Sequence, residues 1–288
     1  MLRSHLHRFL SRWVVPITGR RSRTLTRQVD ELLDQTRDLL RREELDAFKS
    51  SLEVPDSLIA EFETWKAATP VPAEPLVSIC IPTYNRAGLL TTRAIPSVLA
   101  QTYRNVELIV VGDACTDDTE EKVAAFGDPR VRFVNLEERG RYPQDPELRW
   151  MVAGTAPLNH ALRMASGDYV THLDDDDEYL PHRIEMLVEF AITTGCDFVW
   201  HPFWQEVEPG YWLVNEASRF AHGCVTTSSV FYRSWLKRIE WDINAWRLRE
   251  PGDWNRMRKI RYLGADARRL PEPLLRHYRE RNDASRGE

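Results

Sequence analysis

Four consecutive aspartates, Asp174–Asp177, are the most distinctive chemical feature of the sequence. Like-charged carboxylates at this spacing disfavour one another's ionised form, so their concentration predicts a compensating cation. Their oxygen ligands suit Mg²⁺ or Mn²⁺, which typically take one or two carboxylates and complete their coordination with substrate phosphates. A solvated acidic loop is the alternative, but apolar neighbours such as Leu173 and Tyr179 favour a segment anchored to the core. The run also lacks the glycine that a calcium loop requires at its sixth position.

Two further polar segments directly follow apolar runs. The first, PTYNR, could offer the Thr83 hydroxyl, the Asn85 amide and the Arg86 charge to a nucleotide. The second, GDACTDD, begins at Gly112 and offers Asp113 as an acceptor for hydrogen bonds from a base or ribose. Capping of the following helix is the alternative role for Thr83 and Asn85.

The segment PGDW places Asp253 at the start of a predicted helix that ends near Gly264. A carboxylate there could act as a general base. Aspartate at a helix N-terminus also stabilises the helix dipole without any catalytic role, so both interpretations stay open on the local sequence. His277, in the C-terminal segment LLRHYRERND, is interpreted as an ordinary packing histidine, with metal contact as the alternative.

The segments that must position these residues alternate between strands and helices. Short β-rich runs predict strands at 77–81, 106–112, 131–134, 169–173 and 197–204. Helical spacing of apolar residues predicts helices at 87–100, 117–126, 154–166 and 181–194. This alternation predicts an α/β fold: a mostly parallel sheet, flanked by helices, that binds ligands at the carboxyl ends of its strands.

The N-terminal quarter of the chain has a different character. Seven arginines precede Asp30, the first acidic residue, so a basic arm precedes an acidic body. Predicted amphipathic helices at 27–50 and 55–68 lead to the linker TPVPAEP, whose three prolines preclude a helix. We therefore predict a helical extension over 1–75 and the main domain over 76–288.

Composition narrows the setting of the protein. The four cysteines are spread singly, which predicts neither a zinc site nor a disulfide framework and favours a cytoplasmic location. No apolar run approaches the roughly 20 residues of a membrane span. The basic arm could lie on the inner face of an anionic membrane or pack against protein. No basic patch interleaved with aromatic residues follows position 75, which argues against nucleic acid as a partner.

Taken in order, four blocks of the sequence resemble the family 2 glycosyltransferases over roughly residues 76–280. The blocks are VSICIPTYNR, VELIVVGDACTDDT, NHALRMASGDYVTHLDDDDEYLP and PGDW. The resemblance implies the GT-A fold and transfer of a sugar, with inversion, from a nucleotide-sugar donor. It implies a UDP-, GDP- or dTDP-sugar as the donor, Mn²⁺ or Mg²⁺ as the cofactor, and a glycan, a lipid-linked glycan or a protein as the acceptor.

The same resemblance implies a role for individual residues. It implies donor binding by Pro82, Thr83, Asn85, Arg86, Asp113, Asn159, Asp174 and Asp175, metal binding by Asp176, and general-base catalysis by Asp253. The sequence departs from the family pattern at three places. Gly112 stands where many members have an acidic residue, Pro157-Leu158 replaces the Ala-Arg before Asn159, and Gly252 replaces the acidic residue before Asp253.

Two other functions compete with this interpretation. A nucleotidyltransferase also uses a metal and paired aspartates, but it would need a glycine- and lysine-rich phosphate loop after the first strand, and PTYNR is not one. The other alternative is a catalytically silent module that keeps the nucleotide pocket and acts through its N-terminal helices. The intact aspartate run argues against it.

Overall fold

The computed structural model describes residues 56–279, so the basic arm and the helix predicted at 27–50 lie outside the described residues. Within the described part, no helix is both long enough and apolar enough to cross a membrane. All four cysteines fall inside it, and each has a free thiol.

The strands form from the β-rich runs of the sequence. Their bounds are β1 (Val77–Thr83), β2 (Val106–Gly112), β3 (Val131–Asn135), β4 (Tyr169–His172), β5 (Glu178–Tyr179), β6 (Phe198–Trp200), β7 (Phe203–Glu208), β8 (Tyr211–Asn215), β9 (Val230–Arg233), β10 (Ala267–Arg269) and β11 (Leu275–His277). The single strand predicted at 197–204 is wrong, because β6 and β7 belong to different sheets. Pro202 lies between them, and a proline cannot donate a hydrogen bond to a strand ladder.

The helices alternate with the strands of the first half of the chain. Their bounds are α1 (Asp56–Ala68), α2 (Ala87–Leu89), α3 (Ile95–Leu99), α4 (Thr119–Ala124), α5 (Pro146–Val152), α6 (Thr155–Met164), α7 (Arg183–Thr194) and α8 (Gly252–Tyr262). A π-helical stretch, Leu90–Ala94, divides the helix predicted at 87–100 into α2 and α3. Pro96 follows this stretch and has no N–H to continue the α-helical ladder.

The larger sheet positions the polar loops. Its strand order is β10-β6-β9-β4-β1-β2-β3, and β1 pairs in parallel with both β2 and β4. The register sets Thr83 opposite Gly112, so the loops after β1 and β2 leave the sheet at the same edge. β9 runs antiparallel to β4 and β6, which makes the sheet mixed, with its parallel part around β1.

Both faces of this sheet are covered, as the alternation of elements predicts. Ile79 and Ile81 of β1 enter one hydrophobic cluster, whereas Cys80 between them enters the other. Successive side chains of a strand point to opposite faces, so a strand buried on both faces reads as a continuous apolar run. The VSICI and VELIVV runs have this pattern, and their burial holds the ends of β1 and β2 in place.

A smaller sheet brings the C-terminal segment beside the aspartate run. Its strand order is β5-β11-β7-β8, and β5 begins directly after Asp177. β11 pairs with β5 in the antiparallel direction and with β7 in parallel. His277, the last residue of β11, therefore lies next to the aspartate run despite its distance along the chain.

Helix α1, which the sequence assigns to the extension, packs against the main sheet's domain. Its Phe62 is fully buried, with its ring centroid 5.0 Å from that of Trp235. Lys66 Nζ lies 2.7 Å from the buried carboxylate of Asp197, and the Arg233 guanidinium lies 4.4 Å from the centroid of the Trp65 ring. The domain boundary between residues 75 and 76 stays a prediction, but α1, which precedes it, packs into the core of the domain that follows it.

Replacing Phe62 by alanine is expected to lower the free energy of unfolding by about 3 kcal/mol, because it leaves a cavity in a closed cluster. Urea unfolding of the full chain measures this. Glu63→Ala is the matched control, because it introduces the same residue into the same helix at an exposed position. An equal unfolding midpoint for the two variants would mean that α1 does not stabilise the domain.

Candidate active site

The loops after β1 and β2 are joined by side-chain hydrogen bonds. Asn85 has a positive φ of 49°, a conformation that asparagine adopts more readily than most residues. Its Oδ1 accepts a hydrogen bond from the Thr116 N–H at 2.8 Å, and its Nδ2 donates to Thr116 Oγ1 at 3.2 Å. Both capping residues considered from the sequence are thus used elsewhere: Asn85 fixes one loop to the other, and Thr83 contacts the aspartate run.

Arg86 and Thr83 contact the aspartate run directly. Thr83 Oγ1 donates to Asp175 Oδ2 at 2.7 Å. Arg86 Nη1 donates to Asp175 Oδ1 at 3.0 Å and to Asp176 Oδ2 at 2.8 Å. Arg93, from the π-helical stretch, donates to the backbone carbonyl of Asp176. Four residues predicted from two separate segments, Thr83, Arg86, Asp175 and Asp176, therefore form one contact network.

The outer two aspartates are held differently. The Asp174 N–H donates to Ser228 Oγ at 3.0 Å. The side chain of Asp177 is fully buried and binds the C-terminal segment: its Oδ2 lies 3.0 Å from His277 Nδ1, and its Oδ1 accepts from the Tyr278 N–H at 3.1 Å. Asp177 is thus occupied in anchoring β11, whereas Asp175 and Asp176 contact the loop after β1.

The carboxylates of this run carry more negative charge than their surroundings accommodate. Burial, followed by the charges of Asp177 and Asp175, raises the pKa of Asp176 to about 6. Burial and the neighbouring aspartates also raise the pKa of Asp174 well above its usual range. Burial alone would lower the pKa of His277, but the carboxylates of Asp177, Asp174 and Asp176 raise it to about 9. Each of these shifts means that added positive charge is stabilised at this place.

This donor set fits a divalent cation that also binds substrate. Among residues 56–279, no three His, Cys, Asp or Glu side chains are arranged as a ready-made metal cluster. Mg²⁺ and Mn²⁺ sites that include phosphate need only one or two protein carboxylates, and crowded carboxylates are the chemistry such ions prefer. The assignment of Asp176 as the metal ligand stays a prediction.

Asp113 lies at the carboxyl end of β2 and is 3% exposed. Its Oδ1 accepts from the Gly140 N–H at 2.9 Å, and the Tyr142 hydroxyl also bonds to it. Burial raises the pKa of Asp113 although these donors oppose the shift. The preceding Gly112 is explained by packing, because a Cβ there would lie 2.5 Å from Asn135 Oδ1. A larger acidic residue at that position would displace the Asn135 amide, which bonds to the backbone of Cys115.

Asp253 lies in the first turn of α8, as the sequence predicts. Its Oδ1 accepts from the Trp254 N–H at 2.6 Å. Burial raises the pKa of Asp253, and the charges of His222 and His277 oppose the increase. The charge of His277 lowers the pKa of Asp253 and also those of Asp174 and Asp176.

Asn159 and Pro82 are not part of the contact network around the aspartates. Asn159 Nδ2 donates to the Trp241 carbonyl at 2.9 Å, and its Oδ1 accepts from the Trp241 N–H at 2.8 Å. Both polar atoms of its amide therefore support the segment that leads to α8. Pro82 lies within β1, where its ring packs near Gly154. Donor contacts by these two residues stay predictions.

Three residues around the aspartate run, Ser228, Arg93 and Tyr278, have no signal in the local sequence. Ser228 holds Asp174, Arg93 holds the Asp176 carbonyl, and His277 with Tyr278 hold Asp177. The interpretation of His277 as a packing histidine omits this ion pair. Knowledge that β11 pairs with β5 would have indicated it, because that pairing sets the C-terminal strand beside Asp177.

Comparison with known proteins gives a family and curated relatives. Residues 78–143 and 153–251, more than half of the chain, match the family model described as glycosyl transferase family 2. The putative colanic acid biosynthesis glycosyl transferase WcaA of Escherichia coli K12 is 36% identical over 134 residues, which cover 43% of each protein. The E. coli UDP-Glc:alpha-D-GlcNAc-diphosphoundecaprenol beta-1,3-glucosyltransferase WfgD is 32% identical over 125 residues, 43% of this chain and 44% of that one. The chain thus matches less than half the length of these relatives.

The fold also has a solved counterpart. The structure of the mannosyltransferase PcManGT from Pyrobaculum calidifontis, in complex with GDP-Man and Mn²⁺, aligns with a TM-score of 0.53 and 19% identity. The alignment covers 77% of this chain and 64% of that one. This similarity confirms the expected GT-A fold. The PTYNR loop and the aspartate run meet at one sheet edge, and the family model matches most of the described region, so the chain belongs to glycosyl transferase family 2.

Proposed function

We propose that this chain transfers a sugar from a nucleoside-diphosphate donor to an acceptor hydroxyl, with inversion at the anomeric carbon. The observation that carries the proposal is the contact network at the ends of β1 and β4, in which Thr83 and Arg86 bind the carboxylates of Asp175 and Asp176. A sheet edge with crowded carboxylates, an arginine and a buried aspartate from the next loop has the chemistry needed for a nucleoside diphosphate.

The donor would bind across the loops that follow β1 and β2. Asp113 is buried at the end of β2, where its carboxylate could accept hydrogen bonds from a base or ribose. Asp174 would lie nearer the ribose, and Arg86 would bind the diphosphate, to which a guanidinium can bind in a bidentate manner. The named donors of similar proteins, UDP-Glc for WfgD and GDP-Man for PcManGT, support the class of donor and leave its base open.

Asp176 would hold a divalent cation, Mn²⁺ or Mg²⁺, at the same edge. When bound, such an ion supplies Lewis-acid stabilisation of the departing diphosphate. The protein's part is to keep Asp176 in place, which it does through the contact of Arg93 with the Asp176 carbonyl and through the burial of the adjacent Asp177. The Mn²⁺ in PcManGT supports this choice of ion.

Asp253 would take the proton from the acceptor hydroxyl. Its burial raises its pKa, which makes its carboxylate a stronger base than that of an exposed aspartate. The bond from the Trp254 N–H to Oδ1 fixes the carboxylate at the start of α8. Attack from the side of Asp253, opposite the diphosphate, would give inversion.

The acceptor is proposed to be a glycan, including one linked to a lipid diphosphate, on the cytoplasmic side of a membrane. The name of WfgD includes a diphosphoundecaprenol-linked acceptor, and that of WcaA includes colanic acid biosynthesis. Contact of the basic arm with the membrane stays a prediction, because the arm lies outside the described residues.

A thermal-shift screen of nucleotide sugars, with and without Mn²⁺, tests the function. A matching donor at about 100 times its Kd should raise Tm by about 5 °C or more, and only with Mn²⁺ present. Asp253→Asn is expected to retain the shift. The absence of a metal-dependent shift for every UDP-, GDP- and dTDP-sugar would contradict the proposal. Release of nucleoside diphosphate from the matching donor without acceptor would argue against a catalytically silent module.

A further inference from the structure

We propose that Arg86 is a resident counter-ion that occupies the predicted metal carboxylates in the donor-free protein and moves to the diphosphate when donor and metal bind together. The inference rests on the proposed function and adds a dependence of metal binding on nucleotide. Arg86 weakens metal binding by the free protein, and bound nucleotide removes this effect.

Arg86 contacts two carboxylates, and the carboxylate of Asp175 has more other contacts and less exposure than that of Asp176. Nη1 lies 3.0 Å from Asp175 Oδ1 and 2.8 Å from Asp176 Oδ2, so one nitrogen bridges two carboxylates. Asp175 is also bound by Thr83 and its side chain is 8% exposed, whereas the side chain of Asp176 is 17% exposed. The contact with Asp176 is the more accessible of the two.

The Arg86 side chain itself can leave without opening the core. It is 31% exposed and extends from the loop after β1 over the aspartates. The Asp176 backbone is held independently by Arg93, through the Asp176 carbonyl. Departure of the guanidinium would therefore expose Asp176 Oδ2 while the backbone of the run keeps its position.

A divalent cation and this guanidinium compete for the same oxygen atoms. A metal on Asp176 would sit about 2.1 Å from a carboxylate oxygen, whereas Nη1 is already 2.8 Å from Oδ2. Two positive groups bound to the same carboxylate repel each other, so the metal must displace the Arg86 guanidinium or bind more weakly beside its charge. A diphosphate changes this balance because it offers the guanidinium a bidentate anionic partner and the metal two further oxygen ligands.

The consequence is a positive and reciprocal coupling between metal and nucleotide. If nucleotide raises the affinity for Mn²⁺, then Mn²⁺ raises the affinity for nucleotide by the same factor. Removing the Arg86 charge should have opposite effects on the two ligands. It should strengthen Mn²⁺ binding by the protein alone and weaken the binding of nucleoside diphosphate.

Titration of the full chain with Mn²⁺, followed by the electron paramagnetic resonance signal of the free ion, tests this without reference to turnover. The titrations are made alone and with UDP, GDP or dTDP, on wild type and on Arg86→Gln. We expect Arg86→Gln to bind Mn²⁺ alone about tenfold more tightly, from the loss of one positive charge near the site. In wild type, the nucleotide that binds should tighten Mn²⁺ binding about tenfold or more, and in Arg86→Gln this gain should be largely lost.

Two further variants keep the result decisive. Arg86→Met preserves the aliphatic stem of the side chain and replaces Arg86→Gln if that variant fails to fold, with the same expected result. Arg163→Gln is the matched control, because it removes the same charge from an exposed ion pair with Glu240. Its Mn²⁺ affinity should equal that of wild type.

The outcomes separate the inference from the proposed function. If wild type shows nucleotide-dependent Mn²⁺ binding but the Arg86 variants bind Mn²⁺ alone no more tightly than wild type, the counter-ion role is overturned and the proposed function stands. If wild type binds no Mn²⁺ with any of the three nucleotides, the inference and the metal dependence of the proposed function fall together.

Discussion

Asp176→Ala is expected to abolish sugar transfer, with a loss of at least about 10³-fold in kcat/KM. The reason is that Asp176 is partly exposed and is the proposed metal ligand. The substitution removes the carboxylate oxygen that Arg86 contacts at 2.8 Å, and the proposed metal site loses one ligand. Donor binding should weaken as well, because the metal joins donor and protein. Isothermal calorimetry with the matching nucleotide sugar and Mn²⁺ measures the binding, and release of nucleoside diphosphate measures the rate.

The control for Asp176→Ala must distinguish ligand loss from a general change in charge. Asp118→Asn removes one acidic charge from an exposed position in the loop after β2, where the side chain pairs with Lys122. It should leave both donor affinity and rate within about twofold of wild type, since exposed pairs of this kind contribute little. Unchanged calorimetric donor binding in Asp176→Ala would assign the metal to another residue of the run.

The parts of the site that the sequence predicts are those that follow long apolar strands. β1 and β2 are runs of buried residues with parallel pairing, so a polar residue directly after either run has to lie at the carboxyl edge of the sheet. The positions of Thr83 and Asp113 follow from this rule alone. The same rule places the aspartate run after β4, next to β1.

The parts that escape prediction depend on pairing between short, distant strands. β5 has two residues and β11 has three, and neither carries a periodic pattern that would select its partner. Their pairing nevertheless decides that Asp177 contacts His277 and is unavailable as an open ligand. The division of 197–204 between two sheets also depends on long-range pairing, because β7 pairs with β8 and β11 and not with the sheet that contains β6.

Asp253→Asn is expected to lower kcat by about 10²- to 10⁴-fold, which is the usual contribution of a placed general base. The amide keeps the size of the side chain and can still accept the Trp254 N–H, so α8 should begin at the same residue. Donor affinity, measured by calorimetry, should stay within about twofold of wild type because Asp253 acts on the acceptor. Asp242→Asn is the matched control: it removes an acidic charge that pairs with Lys259, near the same helix, and should retain full activity.

The pH profile gives a second test of Asp253 that a purely structural role would not affect. Burial raises the pKa of Asp253, so the carboxyl takes up its proton at a higher pH than an ordinary aspartate does. A general base works only when deprotonated. The rate of wild type should therefore fall as pH is lowered through this raised pKa, with its acid limb above the pH 3.8 typical of an unperturbed aspartate. At saturating Mn²⁺, which keeps the Asp176 carboxylate ionised, the residual rate of Asp253→Asn should lack that limb, because the group that titrates is gone. An acid limb that persists unchanged in the variant would assign the titration, and with it the role of base, to a different residue.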